Sequence, residues 1–219
     1  MLMDKSVNRG DIMPNSHAQP RKPAGLGRIR ALWSNRKGVA AVEFAFMAPM
    51  LLSVYLMTME ISQGIDTNKK VGRIASMVAD LITQQQEITT GELTAIMRIG
   101  AAVIQPYSRS APVIEITAIT ITDEDVPKAK VAWSRKLVAG VASAGTAKDT
   151  VLTSVPAALM IRDSFLIKVR TELDYRPLLT WSASQKESLG LSSAFDNISM
   201  GEEYLLRPRM SASITCATC

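Results

Sequence analysis

Val39 to Met59 reads VAAVEFAFMAPMLLSVYLMTM, and the architecture turns on this stretch. It is 21 residues long with a single charged side chain, Glu43. A helix rises about 1.5 Å per residue, so the run spans roughly 30 Å, the thickness of a bilayer hydrocarbon core. That length and composition predict a transmembrane helix. Arg36 and Lys37 abut its start, Glu60 follows its end, and the next basic residue is Lys69. Because basic residues accumulate on the cytoplasmic side, the N-terminus is expected in the cytoplasm and residues 60–219 outside it. The expected organisation is a basic cytoplasmic tail (1–38), a transmembrane helix (39–59) and one extracytoplasmic domain (60–219).

Three other readings fit the run less well. A buried core helix rarely stays apolar for this length directly after a basic cluster. A cleaved secretory signal has an apolar region of roughly 7–15 residues and a small-residue cleavage site after it; this run is longer and ends in Tyr55, Leu56, Met57 and Met59. A mitochondrial transit peptide is amphipathic, whereas the tail is rich in Pro and Gly.

Charge distribution supports the same division. The chain has 25 Lys and Arg against 20 Asp and Glu, for a formal net charge of +5. Residues 1–38 hold eight of the basic residues and two of the acidic ones, so the remainder is close to neutral. A basic domain face would point to nucleic acid; a basic tail before an apolar run points to topology instead. No nucleic-acid partner is expected.

Within the run, Pro49 removes one backbone hydrogen bond and favours a kink, which membrane helices tolerate. Glu43 has two readings. A carboxylate inside a membrane segment is costly and marks function by default, but about one turn inside the run it could also lie at the solvated interface.

Beyond the run, Val71, Ile74, Ala75, Val78 and Ile82 recur at helical spacing, predicting that the helix continues through residues 60–83 with one core-facing stripe. Gly64 and Gly72 weaken that expectation. A second helix is predicted over Leu93–Ile104, with Thr89 or Thr90 as its cap. Val113–Thr122 reads as a strand, Asp123-Glu124-Asp125 as a solvated turn lacking the spacing of a calcium loop, and Lys130–Trp133 as the returning strand. Ala139–Ala147 is rich in small residues and reads as a loop. Phe165–Tyr175 alternates most clearly, with Lys168, Arg170, Glu172 and Asp174 on one face. Residues 180–202 are polar and Ser-rich. Tyr204–Thr215 reads as a last strand, interrupted by Pro208 and therefore at an edge.

The one histidine, His17, lies in the tail, which removes His-based triads and His zinc sites from the domain. No phosphate-binding or dinucleotide fingerprint occurs. No enzyme activity, cofactor or metal is expected. Cys216 and Cys219 form a CxxC with too few ligands for zinc. An oxidising compartment favours a local disulfide between them, with free or intermolecular thiols as the alternative.

Arg36-Lys37-Gly38-Val39-Ala40-Ala41-Val42-Glu43-Phe44-Ala45, followed by Pro49 and a leucine-rich run, resembles the TadE-like family over about residues 36–83. These are pseudopilin-like proteins of tight-adherence (Flp, type IVc) pilus systems. The strand, Tyr175 and then Pro177 also look similar to that family. The resemblance implies several things. Type IV prepilins are cleaved after a Gly by a membrane aspartic peptidase and carry Glu as the fifth mature residue. Gly38 and Val39 would flank the cleavage site, and Glu43 would be fifth and set helix register against the amine of a neighbouring subunit. Longer relatives, the TadG type, keep their N-terminal segment. The expected fold is α+β and pilin-like: a transmembrane helix continuing into a long amphipathic helix, packed with a small antiparallel sheet. The expected function is a minor pseudopilin or assembly component of a Flp pilus machine in the bacterial inner membrane, with a periplasmic domain. Its partners would be other pilus-assembly proteins, pseudopilin helices and a prepilin peptidase, and its process surface adhesion. A signal-anchored periplasmic binding or sensing domain shares the topology without needing Gly38 or Glu43.

Overall fold

The computed structural model describes residues 38–178 and 198–219. The basic tail up to residue 37 and the Ser-rich stretch over 180–197 lie outside the described residues. The chain divides into two compact units, Met1–Ser53 and Val54–Cys219.

The described part of the first unit is the beginning of helix α1 (Val39–Thr83), whose side chains there are almost all exposed. Its helical state follows from a run of Ala, Leu, Met and Phe whose one breaker, Pro49, leaves the helix continuous. The rest of α1 belongs to the second unit. There Val71, Ile74, Ala75, Val78 and Ile82 are fully buried, the stripe expected from their spacing. Gly64 and Gly72 do not interrupt the helix, because packing of this stripe outweighs their propensity cost of about 1 kcal/mol each.

Helix α2 (Thr90–Ala102) starts at a capping box: Thr89 accepts from the Glu92 amide, and the Glu92 carboxylate accepts from the Thr89 amide at 2.8 Å. Those hydrogen bonds to Thr89 hold the Glu92 carboxyl below its usual value. Leu93, Met97 and Gly100 face the core. At Gly100 the two helices approach so closely that a Cβ would lie 2.7 Å from Val78 Cγ2.

Five strands form an antiparallel path. In spatial order they are β4 (Val141–Ala144), β3 (Ala129–Val138), β2 (Val113–Ile121), β6 (Phe165–Tyr175) and β7 (Ile198–Leu206), with β5 (Val151–Leu152) also paired to β3. Ile114, Ile116 and Ala118 of β2, with Ile167, Val169, Leu173 and Tyr175 of β6, join the helix stripe in one core. Each fully buried Ile or Leu contributes about 1.5–3 kcal/mol. A register shift between Ala118 and Ile119 marks a bulge. Beyond it Ile119, Ile121, Ala129, Val155 and Leu166 make a smaller second cluster.

The architecture is α+β, as the sequence indicates. Three local expectations need correction. Ala139–Ala147 is not a loop: Val141–Ala144 pairs with β3 after a two-residue turn in which Ala139 (φ 49°) and Gly140 (φ 81°) both take positive φ. Such a turn matches strand twist, and the weak β-propensity of Ala hid the strand. The strand expected over Lys130–Trp133 extends over Ala129–Val138. Tyr204–Thr215 is not one strand. β7 begins at Ile198 and stops at Leu206, two residues before Pro208, and β8 (Thr215–Cys216) pairs in parallel with β1 (Glu87–Ile88).

The C-terminal segment straps the far ends of the helices. The Arg209 amide donates to the Thr83 carbonyl at 2.9 Å, and Arg209 pairs with Asp80 at 2.7 Å. Buried Ile214 accepts from Trp133 Nε1 at 2.9 Å. Cys216 and Cys219 are joined by a disulfide, and within its loop Thr218 accepts from the Thr90 amide at 3.0 Å, satisfying one of the free donors at the start of α2.

Candidate functional site

The sequence singles out the start of α1. Gly38 immediately precedes the helix, and among the described residues nothing outside its own stretch of chain comes within 4 Å of where a Cβ would sit. Val39 and Glu43 are four residues apart and so share one helix face. Both are exposed, as are Val42, Phe44, Phe46 and Leu51. Exposed large apolar side chains on successive positions all round a helix are costly in water and suited to lipid or to like helices. Val39–Thr83 is the one helix, among the described residues, long and apolar enough to cross a membrane.

Three hydroxyls along this helix bond back to its own backbone. Ser53 donates to the Pro49 carbonyl at 2.6 Å. In the second unit Thr58 donates to Val54 and Ser62 to Thr58 in the same fashion, at 2.8 and 2.9 Å. Each hydroxyl is satisfied four residues back along its own helix, which lets it sit in an apolar medium.

A second cluster lies where the apolar run ends, wholly within the second unit. Glu60, the first charged residue after the run, accepts from the Tyr175 hydroxyl at 2.6 Å and from the Leu178 amide at 3.0 Å. Arg109 reaches the Glu60 carboxylate at 3.8 Å and donates to the Tyr175 oxygen at 3.3 Å and to the Arg176 carbonyl at 2.6 Å. Its guanidinium stands over the rings of Tyr107 and Tyr175, 4.9 and 5.6 Å from their centroids. Those rings stack at 5.3 Å. Tyr107 in turn accepts from the Arg176 amide at 2.8 Å. Burial, reinforced by the hydrogen bond to Glu60, pushes the Tyr175 hydroxyl up to about 12.

Six groups thus fasten the helix to the end of β6 and to the loop after α2. Gly64 belongs to the arrangement, since the Tyr175 ring lies 3.9 Å from the place of its Cβ. The cluster is a clamp. Sequence reasoning marked Glu60 as the end of the run and Tyr175 as the end of a strand, but gave Arg109 and Tyr107 no role. The one available signal was Tyr175 and Pro177 closing an alternating strand.

Residues 38–80 match the family model described as TadE-like protein. This segment is TadE-like. No curated protein and no solved structure matches the chain. The TadE-like segment contains Gly38, Val39, Glu43, Pro49 and Glu60, together with the buried stripe up to Val78. It therefore covers both the apolar run and the part of α1 that docks on the sheet. The sheet and the disulfide pair Cys216–Cys219 fall outside it.

Proposed function

We propose that this chain is an assembly component of a tight-adherence (Flp) pilus machine, a minor pseudopilin with no catalytic activity of its own. The observation that carries the reading is the TadE-like segment, which pairs an exposed apolar helix with Gly38, Val39 and Glu43 in prepilin-like register. Val39–Met59 anchors the chain in the bacterial inner membrane, with the tail in the cytoplasm and residues 60–219 in the periplasm. A membrane peptidase cleaves between Gly38 and Val39, where the helix starts.

Cleavage creates an ammonium group at Val39. In an apolar helix bundle that ammonium and the Glu43 carboxylate of a neighbouring pseudopilin helix each cost several kcal/mol to bury alone, and pairing offsets part of both. A mismatched register leaves both unpaired, so the pair sets the axial position of one helix against the next. Pro49 sits in the same segment and allows a bend. The clamp at Glu60 keeps the domain attached at a fixed point of the helix as it packs against partners, and surface adhesion follows from the completed fibre.

The test is genetic. Deleting the gene should abolish or sharply reduce surface fibres counted by electron microscopy. The native chain should restore them, and Glu43→Ala, present at equal level, should not. Undiminished fibres in the deletion strain would overturn the reading.

A further inference from the structure

The clamp fixes how deep one end of the domain must lie, given the membrane anchor proposed above, on which this inference rests. Val54–Met59 and the clamp belong to the same compact unit. If Met59 closes the apolar run at the edge of the hydrocarbon, Glu60 lies about 1.5 Å further along the helix axis. The headgroup layer on each side of a bilayer is roughly 5–7 Å thick, taking the difference between the full and the hydrocarbon thickness. The Glu60 carboxylate accepts directly from the Leu178 amide, so the strand end Tyr175-Arg176-Pro177-Leu178 shares that layer.

The side chains at this end suit such a place. Leu178 is 57% exposed, Ile198 44% and Ile61 58%. Ile61 and Ile198, with Pro177 and Met200, line an apolar groove running up from Glu60 between α1 and the start of β7. Exposed Arg176 directly precedes Pro177 in the chain. Isolated apolar side chains with an arginine suit the boundary between acyl chains and phosphates. At the opposite end of the sheet the turn between β2 and β3 is acidic, with exposed Asp123, Glu124 and Asp125.

We infer that Leu178, Ile198 and Ile61, with Arg176, form a lipid-contacting rim that seats the domain in the phospholipid headgroup layer around its own helix. The domain then has a fixed tilt on the membrane instead of swinging from a tether, and the acidic turn points away from the anionic surface. Each apolar side chain leaves water, and the arginine meets phosphate.

The test uses the full chain in nanodiscs of phosphatidylethanolamine and phosphatidylglycerol, with Cys216 and Cys219 both replaced by serine. A small fluorophore is placed in turn at Leu178→Cys, Ile198→Cys, Asp123→Cys and Met57→Cys, all exposed positions. Lipids spin-labelled in the headgroup should extinguish emission at residues 178 and 198 and leave residue 123 bright. Lipids labelled in the acyl chain should extinguish emission at residue 57. Quenching at 57 with 178 and 198 as bright as 123 would overturn the rim while leaving the anchor intact. A bright label at 57 would overturn the anchor itself, and the rim with it.

Discussion

Tyr175 donates its hydroxyl hydrogen to Glu60 across 2.6 Å, linking the end of a strand to a helix residue 115 positions earlier. Glu60 is where the apolar run stops and Tyr175 is where β6 stops, so the contact decides where on the helix the domain is held. Arg109 completes it by touching both partners, which neutralises the carboxylate and covers the ring.

Removing either partner should therefore loosen the domain. Tyr175→Phe leaves the half-buried carboxylate one donor short and should cost about 1–3 kcal/mol. Glu60→Gln keeps an acceptor and should cost less than Glu60→Ala. Urea unfolding of the full chain in detergent, read as a shift in midpoint at constant slope, checks the order. Equal midpoints for all three variants and the parent would contradict it.

The same contact predicts an alkaline limit. The folded-state value of the Tyr175 hydroxyl is raised from 10.0 to about 12, burial being the main cause and the Glu60 hydrogen bond the second. A raised folded value means that its stabilisation is complete below pH 10 and is lost as pH climbs from there through about 12. Phenolate absorbance should show a late-titrating component that is absent in Tyr175→Phe. The stability difference between parent and variant should shrink over that window. A difference that stays constant across it would contradict the assignment.

Two glycines on facing helices should respond in opposite ways. At Gly100 an added Cβ meets Val78 Cγ2 at 2.7 Å and Ile74 Cγ2 at 3.3 Å, both on stiff branched side chains. Gly100→Ala should cost about 1–3 kcal/mol despite its better helix propensity. At Gly64 the nearest atoms are Tyr175 ring carbons at 3.9 Å, so Gly64→Ala should be neutral or stabilising by up to about 1 kcal/mol. Thermal midpoints measured side by side distinguish these.

The disulfide closes a very small loop and should act locally. Replacing Cys216 and Cys219 by serine should speed hydrogen exchange at the Thr90 amide, whose acceptor is Thr218 inside that loop. Amides of β2 and β6 should keep their protection, since the loop-entropy effect of so short a bridge is roughly 2 kcal/mol at most. Uniform loss of protection would show that the bridge supports the whole domain.

What could be read in advance follows from where the signal is dense. The stripe Val71, Ile74, Ala75, Val78, Ile82 and the alternation of Phe165–Tyr175 are each set by burial on one face, and both elements stand where their patterns put them. The strand Val141–Ala144 was hidden because small residues at a sheet edge bury little and alternate in nothing. β8 is two residues long and exists through pairing with β1, which no local pattern announces. The clamp was half legible. Glu60 and Tyr175 each end an element, but Arg109 lies in an irregular loop 49 positions from Glu60, and only the fold brings it there. Glu43 remains the residue about which the sequence speaks most and the solitary chain least, because its proposed partner is another helix.

The most direct test is the N-terminus itself. The full chain, tagged at its C-terminus, is produced with and without the cognate prepilin peptidase, beside a Gly38→Ala control, and analysed by intact mass and N-terminal sequencing. The account predicts a chain beginning at Val39 when the peptidase is present, and none in the control. An uncut chain that keeps its basic tail under both conditions would contradict it, leaving a static membrane-anchored domain and Glu43 without an ammonium to meet.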